Sequence, residues 1–538
     1  MSTTDEANPQ PEPPAPVVPQ DKPAAAEPAE KTKLDKWMAK LRWEAYWLLP
    51  NLISPPNTRD AAFHDARDKE NNSKSRIPAE AELCCSMIWG VELYGPSEIE
   101  SLYDSIKKLG WNRVGARNPE DNAVDRIRQQ RSNGPGGWLN IGSVLTQGTR
   151  ESFSMTHNYA PLPDGVKSLS VRVFQITSSL TAVLVGFQLA DPHVSHYQRE
   201  TDRDRKTFYR RSVRPQAIEW VEPWHQKEEA VREGRSELRG IIGSWFSWHL
   251  PGYFCESGRP SEFPTMELLI AQGPILEQPE KAAARSWEDW RRLLANVPPH
   301  EIWTYEADPG LQLAFERQRD APKGLHILAA LDTQTFPKEK VQPFGGDKPS
   351  AYGWLCDETL GGILVHSATV EYLKENMQDL NLTRERMKKA RSARKHVALT
   401  LDEIGDFFDR MLGSSVIARE LAKHSKEVSW YRHDCANFTA PGWKNEDRHK
   451  LHERICGQVS FLSSQLADEE AALRDHFEQL STVLSVRESI RAQHRMEWLT
   501  VLALVVALAS LVIALPALDE TKKQIGDFWR SAISAMHK

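Results

Sequence analysis

The chain has 538 residues, enough for two or three domains, and its 40% apolar and 26% charged residues are ordinary for a globular protein. The formal net charge is −6 at pH 7, but residues 1–30 carry six acidic side chains against one lysine, so the rest is close to neutral. This balance excludes the broad charged surface of a general nucleic-acid or acidic-ligand binder, and no nucleic-acid partner is expected.

Residues 1–30 hold eight prolines among alanine and glutamate, a composition that predicts a disordered tail. Residues 31–56 follow as an amphipathic helix and linker. The apolar face of this helix is formed by residues at helical spacing, Leu34, Trp37, Leu41, Ala45 and Leu48. With its lysines, such a helix suits the membrane interface. Alternatively it packs across the globular body with Trp43 and Trp47 buried, and its many aromatic residues favour this packing.

Residues 83–370 are predicted to be a body of mixed helices and strands, in one or two domains. Leu169–Ile176 and Thr181–Leu189 predict a hairpin, and Glu228–Trp248 predicts a helix. The other predicted strands are Leu83–Leu93, Leu268–Ile270, Leu311–Phe315, Leu325–Leu331 and Gly362–His366. Ser97 and Glu100 have the spacing of a capping box before a helix that Gly110 ends. The irregular alternation of strands and helices predicts the α+β class.

Residues 371–497 are predicted to form a helical stalk. Its apolar residues recur at intervals of three, four or seven, the pattern of a coiled coil or bundle seam: Leu451, Ile455, Val459, Leu462, Leu466, Leu473, Phe477, Leu480 and Leu484. No helix breaker lies between Leu462 and Leu515, so we expect this helix to continue into the segment that follows.

Residues 498–518 carry no charged side chain and, as a helix, are roughly 30 Å long, the thickness of a bilayer's hydrocarbon core. They are predicted to be a single transmembrane helix, with the bilayer as a partner and residues 519–538 as an amphipathic tail. Basic residues flank the span almost equally, so charge does not decide its orientation. The chain opens without a secretory signal and its six cysteines form no framework, so we expect a cytosolic body with reduced thiols.

A stripe of small residues follows the predicted span at four- and three-residue spacing: Ala503, Ala507, Ser510, Ala514 and Ala517. Small residues let membrane helices approach closely, so the stripe predicts self-association into a homo-oligomer. The alternative is that alanine is merely tolerated in lipid.

His449, His452 and Cys456 are the metal candidates, since on a helix they share one face and suit zinc. His433 and Cys435 are available to complete such a site. The alternative is that these residues belong to a helix interface. No catalytic signature is present and no cofactor is indicated.

The seam from Leu473 to Leu484 and the stretch RMEWLTVLALVVAL, from Arg495 to Leu508, resemble the stalk and first membrane helix of CorA-type divalent-cation transporters. The family's Gly-Met-Asn signature is absent, Ala514-Leu-Pro-Ala517 stands in that region, and no second membrane helix follows. The resemblance implies only an oligomeric stalk, and no functional residue is carried over.

Together these features predict a membrane-anchored cytosolic module for binding, sensing or scaffolding, with an unknown protein or small-molecule ligand. The first alternative is an oligomeric ion-transport or pore-forming assembly, which the lack of polar groups in the span disfavours. The second is a membrane-tethered enzyme, for which His157, His193 and His225 are the first residues to consider.

Overall fold

The structure, a computed structural model, describes residues 33–49, 53, 58–111, 122–148, 157–191, 193–211, 218–276, 289–316, 324–392, 405, 413–425, 433, 435, 437–442 and 447–536. The predicted tail at residues 1–30 lies outside them. The chain divides into two compact units, Met1–Lys69 with Thr207–Trp220, and Glu70–Lys206 with Val221–Lys538.

The helices are α1 Lys33–Leu48, α2 Thr58–Lys74, α3 Ile99–Leu109, α4 Ala123–Asn133, α5 His196–Asp202, α6 Pro223–His249, α7 Tyr253–Ser257, α8 Trp290–Leu294, α9 Pro349–Ser392 and α10 Leu451–Met536. A further helical stretch covers residues 413–424. The strands are β1 Cys84–Tyr94, β2 Trp138–Leu145, β3 His157–Tyr159, β4 Val166–Gln175, β5 Thr181–Leu189, β6 Phe208–Arg211, β7 Ile218–Val221, β8 Thr265–Ala271, β9 Ile302–Tyr305, β10 Leu311–Phe315, β11 His326–Asp332, β12 Phe438–Ala440 and β13 His449–Lys450.

In the first unit, α1 is helical over nearly the whole predicted segment, and β6 pairs with β7 in a two-stranded ribbon. The apolar face of α1 is exposed at Leu34, Trp37, Leu41 and Leu48. Tyr46 is the buried residue of this helix among the side chains that are described, and it meets Trp43 edge-on at 5.8 Å. Within this unit the face is exposed, and packing of the helix across the globular body stays a prediction.

In the second unit, eleven strands form one sheet in the order β13-β12-β9-β10-β11-β8-β1-β5-β4-β2-β3. The pairs β8–β11 and β2–β3 are parallel and the other pairs are antiparallel. The predicted α+β class is confirmed. The predicted hairpin is present as β4 and β5, and the predicted strands at β1, β8, β10 and β11 are confirmed.

Helices cover both faces of the sheet at β1. The indole Nε1 of Trp89 donates to Asp357 Oδ1 of α9 at 2.5 Å. At the next residue, a Cβ on Gly90 would lie 2.7 Å from Ile242 Cγ2 of α6. Because successive strand residues point to opposite faces, α9 and α6 lie on opposite sides of β1. This explains why β5, β8 and β11 are buried at every position.

The predicted strand at Gly362–His366 is wrong, because these residues lie inside α9. A Cβ at the preceding Gly361 would lie 2.4 Å from Leu184 Cδ2, so the small residue lets the helix rest directly on β5. The local pattern resembles a strand because the helix is buried there on all sides. The helix α9 also crosses residue 370, where the sequence places the boundary between body and stalk.

The capping box at Ser97 is replaced by another arrangement. The helix α3 begins at Ile99 after Glu98, whose Oε2 accepts from the Gly95 backbone N–H at 2.8 Å. Gly110 ends the helix with φ 73°, as predicted.

The helix α10 is continuous for 86 residues. Its first turns are buried against α9, and the buried residues include five of the predicted seam: Leu451, Ile455, Val459, Leu466 and Leu473. The side chains of Leu480 and Leu484 lie outside the described ones, so a coiled coil stays a prediction. Further along, Ser489–Leu511 is a stretch of 23 residues with mean hydropathy 1.4, long and apolar enough to cross a membrane. It overlaps the predicted span over residues 498–511.

Candidate ligand cavity

A cavity of about 200 Å³ lies where β10 ends and β11 begins, against α9 and the first turns of α10. Three carboxylates and two cations line it together with polar and apolar groups: Glu301, Phe315, Glu316, Gly324, Leu325, His326, Ser367, Val370, Glu371, Lys374, Arg454, Ile455 and Gln458. The first six come from the turn before β9, the end of β10 and the start of β11, and the two long helices supply the rest. All of them belong to the second unit.

Behind this cavity, a buried carboxylate organises a polar network. Glu267 of β8 is fully buried; its Oε1 accepts from Arg235 Nε at 2.7 Å, and its Oε2 accepts from the Tyr197 hydroxyl at 2.6 Å. The same Arg235 guanidinium donates to Glu316 Oε1 at 3.2 Å and to the Leu294 carbonyl at 3.0 Å. A buried charge needs such partners, and the network links α5, α6 and the cavity wall.

The electrostatics of the network keep both carboxylates ionised. Burial acts to raise the pKa of Glu267, but the charge of Arg235 and the hydrogen bond from Tyr197 oppose it, and the pKa is lowered to about 2. For Glu316, burial again opposes ionisation, and the charge of Arg235 outweighs it and lowers the pKa. The cavity therefore meets a fixed negative charge at Glu316.

The imidazole of His326 joins the network to the cavity. Its Nδ1 lies 2.9 Å from Thr265 Oγ1, while its Nε2 lies 3.7 Å from Glu267 Oε1, beyond hydrogen-bond reach. This Nε2 is buried and has no hydrogen-bond partner among the described residues. Burial lowers the pKa of His326, which favours the neutral ring.

Two aromatic rings hold the cation of Arg454. Its guanidinium carbon lies 5.5 Å from the ring centroids of Trp303 and Phe315. The ring faces restrain the guanidinium through cation–π attraction but accept none of its hydrogen bonds in the plane. Across the cavity wall, Lys374 Nζ lies 3.2 Å from Glu371 Oε2 on the same helix.

The predicted metal residues differ in their exposure. His449 is exposed in β13, whereas His452 and Cys456 are buried in the first turns of α10. The Cys456 thiol donates to the Ser425 carbonyl at 2.8 Å. The described part of the chain contains no group of three or more His, Cys, Asp or Glu residues placed to hold a metal, so zinc at this place stays a prediction.

On the predicted membrane helix, Ala503, Ala507 and Ser510 are exposed. The Ser510 hydroxyl donates to the Val506 carbonyl at 2.8 Å, so the helix itself satisfies it. The side chains of Ala514 and Ala517 lie outside the described ones. A helix interface along this stripe stays a prediction.

Sequence reasoning missed the cavity. It named His157, His193 and His225, none of which lines the cavity. The missed residues reach from Glu301 to Gln458 and meet only through tertiary packing. One signal was available: Glu267 is a lone acidic residue at the start of an apolar strand, and a buried charge needs a buried partner.

In comparisons with protein-family models, curated proteins and solved structures, nothing matches this chain.

Proposed function

We propose that this protein is a membrane-tethered binding module. A single helix near its C-terminal end crosses the bilayer, the folded body with its cavity lies on the cytosolic side, and copies of the chain associate. The ligand of the cavity gives the module its binding or sensing role.

The exposure of α10 is the observation that carries this proposal. Within Ser489–Leu511 none of the apolar window is buried. Its large exposed side chains are Ile490, Met496, Trp498, Leu499, Val501, Leu502, Leu504, Val505, Val506, Leu508 and Leu511. Leaving this much apolar surface in water is unfavourable by about 25 cal/mol for each Å². The same surface is favourable in hydrocarbon, so lipid is the environment that suits it.

Two further observations agree with lipid as the surrounding. The hydroxyls of Thr500 and Ser510 donate to the carbonyls of Met496 and Val506 at 2.7 and 2.8 Å, so neither of these two hydroxyls needs water. In addition, α1 exposes the face that contains Trp37 and Leu41, as a helix lying in the membrane interface does.

Extraction of membranes with alkaline carbonate tests the tether. We expect the full chain to stay in the membrane pellet and the double variant Leu502→Arg with Val505→Arg to move to the supernatant, because each arginine at a span centre costs about 3 kcal/mol. The matched control is Phe461→Arg with Val486→Arg, at positions of α10 that are 66% and 52% exposed, against 59% and 54% for the test pair.

Release of the wild-type chain by carbonate would contradict the tether. The side of the membrane is tested separately by protease added to intact cells, which we expect to leave the body undigested.

A further inference from the structure

The cavity offers unused hydrogen-bonding groups of opposite charge. Arg454 is exposed and contacts the rings of Trp303 and Phe315. The charge of the nearby Glu301 acts on it, but within the described residues its guanidinium forms no hydrogen bond or ion pair. The aromatic faces leave the N–H groups at the edge of the guanidinium available. A guanidinium fixed in this way is suited to a bidentate contact with a carboxylate.

Among the acidic groups of the lining, Glu316 has a carboxylate oxygen that can accept a further hydrogen bond. Its Oε1 accepts from Arg235 at 3.2 Å, while its Oε2 has no hydrogen-bond donor in the described part of the chain. The side chain is 23% exposed, so an ammonium group that enters the cavity can reach it. The buried Nε2 of His326, which also belongs to the lining, is a third group without a hydrogen-bond partner among the described residues.

The balance of charge on the lining selects the class of ligand. An anion would meet the carboxylates of Glu301, Glu316 and Glu371, and a cation would meet Lys374 and Arg454. A zwitterion is attracted to both sets. The volume of about 200 Å³ corresponds to about seven water molecules at about 30 Å³ each, which suits a small molecule rather than a nucleotide or a peptide.

We propose that the cavity binds a free amino acid, with its carboxylate on Arg454 and its ammonium group on Glu316. The apolar residues Val370 and Ile455 of the lining face its side chain. This site rests on the proposed function as a binding module and names the ligand class of that module.

Isothermal titration calorimetry of the detergent-solubilised full chain tests the site, with each of the twenty free L-amino acids as the probe. We expect at least one to bind. The carboxamide of that amino acid and its analogue without the amino group are each expected to bind about ten- to a hundred-fold more weakly than the amino acid, because each lacks one charge-assisted hydrogen bond. These analogues test both contacts on the unaltered protein.

Substitutions then assign the contacts. Arg454→Met is expected to weaken binding of the amino acid about ten- to a hundred-fold and to bind the carboxamide as the wild type does, whereas Arg448→Met, an exposed arginine outside the cavity, leaves both unchanged. Glu316→Gln is expected to remove the preference for the amino group, with the exposed Glu306→Gln as its control.

Two results overturn the inference: no amino acid binds the folded wild-type chain, or Arg454→Met binds the amino acid as tightly as Arg448→Met does. Neither result contradicts the proposed membrane tether, since carbonate extraction tests the tether without any ligand. Conversely, if carbonate releases the chain but the chain binds an amino acid, the tether is contradicted and this site is supported.

Discussion

Single residues of the buried network stabilise the fold around the cavity. Replacing Glu267 with glutamine leaves the buried Arg235 with Glu316 as its remaining charge partner. Loss of one partner of a buried pair costs about 3 kcal/mol or more. We expect the unfolding temperature to fall by about 6–12 °C, measured by circular dichroism on the solubilised chain.

Glu306→Gln is the matched change at an exposed position and is expected to leave the unfolding temperature within about 1 °C. An equal effect of the two substitutions would show that the Glu267–Arg235 pair does not stabilise the fold.

The carboxyl of Glu375 on α9 makes stability depend on pH. Burial raises its pKa to about 7, and the nearby Glu371 adds to the rise. The folded chain thus holds this proton more tightly than the unfolded chain does. The resulting stabilisation is complete below about pH 4.5 and is lost as the pH rises through 7.

Glu375→Gln cannot ionise, so we expect its unfolding temperature to fall less than that of the wild type between pH 5 and pH 8. Glu358→Gln, at an exposed position of the same helix, is expected to follow the wild type. Identical profiles for all three chains would exclude Glu375 as the source.

At the level of elements, the contact of β1 with α6 depends on the absence of a side chain at Gly90. A Cβ there would lie 2.7 Å from Ile242 Cγ2 and 2.9 Å from Phe246 Cε2, both in a packed core. We expect Gly90→Ala to lower the free energy of unfolding by about 1–3 kcal/mol, measured by urea denaturation.

Gly240 gives the opposite expectation on the same helix. A Cβ there meets nothing within 4 Å, so Gly240→Ala is expected to raise the free energy of unfolding by about 0.5–1 kcal/mol. If both substitutions change the free energy of unfolding in the same direction, close packing at Gly90 is not the reason for the effect of Gly90→Ala.

Sequence predicted those elements whose environment is simple. The strands β1, β10 and β11 are short apolar runs bounded by turns, and both of their faces are buried, so the run alone identifies them. Gly362–His366 has the same composition but lies in a helix, because its surroundings are set by β5 and not by its own residues. The sequence did not predict the cavity, for a related reason. Arg454 and Glu316 carry no local signature, and only the packing of α10 on the sheet edge brings them together.

For the whole molecule, the proposed association of copies depends on the exposed stripe at Ala503 and Ala507. We expect Ala503→Ile with Ala507→Ile to weaken the oligomer about tenfold, because the larger side chains keep the helices apart. Native mass spectrometry from detergent measures the copy number. Val501→Leu with Val505→Leu enlarges another side of the helix and is expected to keep the wild-type copy number.

A wild-type chain that is monomeric at all concentrations would remove association from the proposal and leave the tether as it is.

Because α10 is continuous, a tilt of its first turns displaces its far end. Arg454 lies near its start in the cavity wall, and Ser489, where the apolar stretch begins, lies about 50 Å further along at about 1.5 Å for each residue. Helices bend only gently over such a distance. A rotation of the first turns by one degree therefore displaces the far end by about 1 Å. For the proposed module, we therefore expect a ligand that tilts these first turns to displace the end of α10 at the membrane surface.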